Sequence, residues 1–204
     1  MRPPQIAVLC VSFALSSFAQ ETSSPSKVSK PRATTSAKLD DGSLIADLYR
    51  NNYFQFSYQV PFGWVDRTPE MREDTETAKS RVLLAVFERP PAATGQTVNS
   101  TVVIAAESAT SYPGLKNAAD YFGPLSEMVV SKGFKAVNDP YEFPVDGKNI
   151  VRRDFTKANA GVTMHQSSLL MWSKGYVLSF TLIGGSDEDV VELIEKLKFG
   201  VAKK

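Results

Sequence analysis

The sequence predicts a compact α+β domain built on an antiparallel sheet, and three observations predict it. Residues 53–60 alternate apolar and polar side chains with the two-residue period of a half-buried strand. Residues 81–88 (RVLLAVFE) and 100–107 (STVVIAAE) are nearly unbroken apolar runs, as expected of strands covered on both faces. Residues 135–183 carry four further strand-like segments separated by turn signals, and a strongly capped helix follows. The expected domain is a sheet of six to seven strands with helices on both faces.

The 204 residues leave room for one domain with appendages. Arg2 is a short basic start, 6–19 is an almost uncharged apolar run, and Ser17-Phe18-Ala19 puts small residues where a signal peptidase reads. Residues 1–19 are therefore expected to be a signal peptide, which places the mature protein outside the cell or in the periplasm. The run is shorter than the ~20 apolar residues of a spanning helix, and Ser12, Ser16 and Ser17 interrupt it. No stable membrane insertion is expected after cleavage. Cys10, the single cysteine, lies within the run and too early for a lipid attachment site. A mature chain without cysteine has no disulfide, thiolate metal site or cysteine nucleophile, so it must rely on its core.

Residues 20–42 are rich in Ser, Thr, Lys and Pro and lack apolar periodicity, the composition of a disordered linker. The domain is expected over 43–204. Removing Arg2 with the signal leaves 22 basic and 22 acidic side chains. Nucleic-acid recognition needs a concentrated basic face, so that class of partner is not expected.

Within the domain, 43–50 (SLIADLYR) reads as a short helix capped by Ser43, with Leu44, Ile45 and Leu48 on one face. Phe54, Phe56, Tyr58 and Val60 form the core face of the first strand. Pro61 ends that strand, Gly63 permits a turn, and Trp64 is a packing anchor. The charged stretch 66–79 reads as an exposed loop with room for one helical turn.

A long helix is expected within 112–132. Leu115, Ala118, Ala119, Phe122, Leu125 and Val129 make one stripe, with a kink at Gly123-Pro124 and a stop at Gly133. In the meander, Asp146-Gly147 is the strongest hairpin signal, and turns are also expected at 158–161 and 173–175. Ser186 caps the last helix, whose stripe is Val190, Val191, Ile194 and Leu197, with Phe199 packing after it.

Chemistry is sparse. His165, the only histidine, would need a nucleophile and an orienting acid to act as a base. No G-x-S-x-G elbow supplies one, so a strand histidine is the plainer reading. There is no H-E-x-x-H or second histidine for zinc, and 70–76 lacks the glycine and spacing of a calcium loop. No cofactor is implied. Glu88 and Glu107 each end a buried strand; facing each other at one rim, they would form the carboxylate pair of a hydrolase or transferase. Strands also commonly end in charges, which is the bland alternative. Gly184-Gly185-Ser186 opens a helix but lacks the lysine of a phosphate loop, and Asn99-Ser100-Thr101 matches a glycosylation acceptor. Tyr53, Tyr112, Tyr121, Tyr141 and Tyr176 could line a groove, although scattered half-buried rings are the commoner outcome.

The order of elements, with Pro61, Gly63 and Trp64 at the first corner, residues 176–180 as closing strand and 190–199 as last helix, resembles the PsbP-like α/β/α sandwich. Secreted bacterial proteins of the DcrB and LpqN type are similar. The resemblance spans about 43–199 and implies a strongly bent antiparallel sheet and a non-enzymatic accessory or binding role. The cofactor-linked residues of photosystem members find no match, so no site is carried over. The expected function is an exported accessory or binding domain acting on an unidentified envelope protein or small ligand. The alternatives are the carboxylate enzyme and an envelope interaction module that adds a partner strand to a sheet edge.

Overall fold

The computed structural model describes residues 39–73, 79–90, 92, 95–159 and 161–200. The expected signal peptide and residues 20–38 of the expected linker lie outside them. The last four linker residues belong to the domain instead. Leu39 packs partly buried on the core, Asn51 Nδ2 donates to Asp40 O at 2.9 Å, and the Tyr49 hydroxyl donates to Asp41 O at 2.8 Å. Gly42 has φ +73°, and a Cβ there would stand 2.5 Å from the Tyr49 hydroxyl oxygen, so only glycine fits.

The helix expected over 43–50 is a β-hairpin. β1 (Ser43–Ile45) and β2 (Leu48–Asn51) pair through a two-residue turn in which Ala46 and Asp47 have φ of 46° and 62°. That left-handed pair matches the twist of a hairpin. Non-local pairing outweighs local helix propensity here. β2 also pairs with β3 (Phe56–Gln59), and Val60 N–H donates to Asp47 O at 2.7 Å. Phe56 and Tyr58 are buried from β3 and Val60 just after it, as the alternation requires, whereas Phe54 is buried from the turn before the strand, where Gln55 has φ of 59°.

The chain then runs through β4 (Val65–Asp66), α1 (Thr68–Glu73), β5 (Ser80–Phe87) and β6 (Thr101–Ser108). The long helix expected over 112–132 is shorter. Two 3-10 turns, Ala109–Ser111 and Ala119–Tyr121, precede α2 (Phe122–Ser131). Pro124 therefore falls in the first turn of α2, where its missing N–H costs no intrahelical bond and no kink is needed. Ala118, Phe122, Leu125 and Val129 still bury one face.

The four strands expected over 135–183 are five, because 135–145 divides into β7 (Lys135–Ala136) and β8 (Tyr141–Val145), both paired with β9 (Lys148–Asn159); β8, β9, β10 (Val162–Ser173) and β11 (Tyr176–Gly184) form the meander. Asp146 and Gly147 have φ of 46° and 77°, the turn expected there. Ser186 caps α3 (Asp187–Glu195), accepting from Asp189 N–H at 3.1 Å. Val191 is 39% exposed and Leu193 takes its place in the buried stripe. The helix ends before Leu197, which with Phe199 lies in β12 (Leu197–Phe199), paired with β3.

The expected single bent sheet is thus two antiparallel sheets among the described residues. One has the order β1-β2-β3-β12; the other runs β4-β5-β6-β11-β10-β9-β7, with β8 also on β9. One face of the large sheet, through Leu84, Ile104, Leu169 and Phe180, packs on the small sheet and α3. Its opposite face, through Phe155, Leu170 and Val177, packs on α2. No helix among the described residues is long and apolar enough to cross a membrane.

Candidate functional site

Glu88 and Glu107 do not form a pair. β5 and β6 are antiparallel, with Ser80 opposite Glu107 and Phe87 opposite Thr101. Glu88 therefore stands beside Ser100, whose N–H it accepts at 3.1 Å. Ser100 and Glu107 are seven residues apart along one strand, or about 23 Å at the usual strand rise. The expectation of a shared carboxylate rim is overturned by register: consecutive antiparallel strands end at opposite rims.

Glu107 is buried at 8% exposed on the α2 face. Burial raises its carboxyl above the ordinary value of 4.5, partly offset by the Ser80 hydroxyl, which donates at 2.9 Å. Burial pushes the Tyr121 phenol up, and its bond to Tyr112 and the nearby Glu107 add to that. Tyr121 stacks edge-on against Tyr112 with ring centroids 4.9 Å apart. The other tyrosines scatter. Tyr53 and Tyr176 pack around Phe54, and Tyr141 packs against Phe143.

His165 does have an acid partner. Its Nδ1 lies 2.7 Å from Asp187 Oδ1, because β10 runs beside the first turn of α3. Among the described residues no hydroxyl bonds to His165. Ser167 shares the strand face of His165, yet its hydroxyl donates to Asp154 Oδ1 instead. Asp154 is the centre of a network that the sequence did not advertise. It also accepts from Arg152 Nε at 2.7 Å, Asn138 Nδ2 at 2.7 Å and the Tyr141 hydroxyl at 3.1 Å. Burial raises its carboxyl, but the bonds from Ser167, Asn138 and Arg152 outweigh that and hold it below the ordinary 3.8. The Arg152 guanidinium stacks 4.7 Å over Phe143. A network this fully satisfied orders β8, β9 and β10 rather than leaving a reactive group.

A concavity that gathers sequence candidates lies at the other rim. The corner after β3 brings Pro61 and Trp64, the start of β6 brings Ser100, and α3 brings Ser186, Asp189, Glu192 and Lys196 around Glu88. Thr97, Val98, Gly185 and Leu193 complete a cleft of about 600 Å³. Trp64 is partly buried against the core and also forms part of this wall. The amides at the helix start are occupied: Gly185 N–H donates to Asp189 Oδ2 at 3.0 Å and Asp189 N–H to Ser186 Oγ. That leaves the carboxylate lone pairs and the indole to meet a ligand. Asn99 is engaged too. Its Oδ1 accepts from Arg89 N–H at 2.9 Å and its Nδ2 donates to Arg89 O at 3.0 Å. Among the described residues no three metal-ligating side chains are placed to hold an ion.

No protein-family model matches the chain, and no curated protein matches it in sequence. Among solved structures it is similar to cyanobacterial PsbP from Synechocystis sp., at 18% identity over 76% of this chain and 94% of that one, with a TM-score of 0.48. It is similar also to LpqN of Mycobacterium tuberculosis, a protein involved in cell envelope biogenesis, at 14% identity over 72% and 83%, with a TM-score of 0.41. A protein of unknown function from Pseudomonas aeruginosa follows at 18% identity over 71% and 85%, with a TM-score of 0.36. The resemblance drawn from the sequence, to PsbP-like sandwiches and LpqN-type proteins, is met again here. It is a likeness of fold.

Proposed function

We propose that this chain is an exported accessory domain, secreted or periplasmic, that binds a small ligand in the cleft between the Trp64 corner and α3 without catalysing a reaction. The observation that carries this reading is the cleft lining itself, which gathers one indole and the carboxylates of Glu88, Asp189 and Glu192 against Lys196 and the Arg89 that pairs with Glu88 at 3.4 Å. An aromatic wall with an excess of carboxylates suits an organic amine. Export rests on the basic start and apolar run of residues 1–19, and the balanced charge favours neither nucleic acid nor a strongly charged surface. The carboxylate-enzyme alternative loses its support with the separation of Glu88 from Glu107.

Benzylamine and its neutral analogue benzyl alcohol, titrated against the folded chain and followed by amide chemical shifts, test the reading. Saturable shifts at Trp64, Val98 and Glu192 with the amine are expected. Trp64→Ala should abolish them and Glu88→Gln should weaken binding about threefold or more. Shifts of equal size with the alcohol, or shifts that survive Trp64→Ala, would remove the cleft as the binding site.

A further inference from the structure

The large sheet stops short along the outer edge of β5. β4 pairs with Phe87 and Val86 alone. From Val82 to Ala85, β5 has β6 on one side, with a bulge in the register between Val82 and Leu84, and no strand among the described residues on the other. An edge of that kind offers unpaired backbone groups to any passing chain. Here α1 and the residue before it cover the edge with bonds that imitate a strand. Arg67 N–H donates to Ala85 O at 2.8 Å, and Ala85 N–H donates to Thr68 Oγ1 at 2.9 Å. The Arg72 guanidinium donates to Val82 O at 3.0 Å and to Leu83 O at 3.2 Å.

The cover is held down mainly by polar contacts. Thr68 is buried, but Pro69 and Glu70 are exposed and Met71 is half-buried, so α1 buries no apolar side chain fully among its described residues. Arg72 adds an ion pair to Asp41 at 3.5 Å. Segments with few buried apolar contacts open at free energies well below that of global unfolding. The strand beneath has the opposite character. Val82, Leu83, Leu84, Ala85 and Val86 are each 4% exposed or less. Such an uncharged, proline-free, β-prone run is the kind that pairs with its own copies. Antiparallel pairing of two identical edges about a two-fold axis closes on itself, giving a dimer.

We propose that α1 is a displaceable guard over the outer edge of β5, and that the uncovered edge pairs with the same edge of a second copy of this chain. Native-state hydrogen exchange on the full chain tests the guard. The Ala85 amide, bonded to Thr68, should exchange about tenfold or more faster than those of Leu84 and Val86, which strand alternation turns toward β6. Equal protection of the three amides overturns the displaceable guard.

The variant Thr68→Val with Arg72→Met tests the pairing, since it removes three side-chain hydrogen bonds to the edge and the ion pair to Asp41 while keeping similar shapes. Light scattering should show a dimer that grows with concentration, and the Ala85 amide should regain protection within it. A folded monomer at every concentration, or a dimer in which Ala85 exchanges as in the monomer, overturns the edge pairing. Should the double variant not fold, Thr68→Val alone, which loses one bond, is measured at higher concentration and judged by the same two outcomes.

Discussion

Asp154 and Glu107 are acids of one sheet, set on its opposite faces, and they titrate in opposite directions. On the small-sheet side, Asp154 accepts from Arg152, Ser167, Asn138 and Tyr141, and its carboxyl is held below the ordinary range. On the α2 side, Glu107 is closed off from water with the Ser80 hydroxyl as its donor, and burial raises it. Both groups pay desolvation; the supply of donors decides the sign. Four donors around Asp154 make ionisation stabilising, while one donor beside Glu107 does not. Neither arrangement puts a second reacting group at hand, so the contrast concerns stability rather than chemistry.

The largest effect should come from breaking the satisfied side. Asp154→Ala leaves Arg152, 8% exposed, without its carboxylate. Urea unfolding should show a loss of about 3 kcal/mol. The pH dependence separates the two groups further. Because the folded value of Asp154 is depressed, its contribution is present above the unfolded value and is lost as pH falls through the folded one. The acid limb of the stability curve should flatten in Asp154→Asn; an unchanged limb would contradict the network.

Glu107 has the reverse linkage. Its folded value is raised, so the stability of its neutral form is present below the unfolded value and is lost as pH rises through the folded one. Glu107→Gln should therefore stabilise the domain at neutral pH, with the gain fading in acid. A gain of the same size at both pH values would mean that ionisation of Glu107 is irrelevant. The smallest effect belongs to Ser80→Ala, which removes the donor. It should destabilise by about 1 kcal/mol, and more at neutral than at acid pH, because a hydrogen bond to a charged acceptor is worth more than one to a neutral acid.

Much of the fold is legible in local patterns. The alternation of Phe56, Tyr58 and Val60, the Asp146-Gly147 turn and the Ser186 cap each correspond to a structural element at the expected place, while the expected start of the first strand at 53–55 is a turn. The failures share a cause. Residues 43–50 carry helix-compatible spacing, but pairing with β3 makes them a hairpin. The stripe over 112–132 is correct in its buried members, while the backbone beneath it changes from 3-10 turns to α-helix. Glu88 and Glu107 form no pair, because consecutive antiparallel strands end at opposite rims. The Asp154 network left no sequence signal, because its members lie at 138, 141, 152, 154 and 167 with no motif spacing.

The sequence by itself determined the α+β class, the meander, its turns and the cap of α3, because these depend on side-chain period and on backbone dihedrals within a few residues. Tertiary structure alone decided that the chain makes two sheets, that His165 meets Asp187, and that Trp64, Glu88 and α3 share a cleft. It also decided that α1 lies along the bare edge of β5. Those outcomes depend on register between distant segments, and register is set by the summed burial and hydrogen bonding of whole strands rather than by any short stretch.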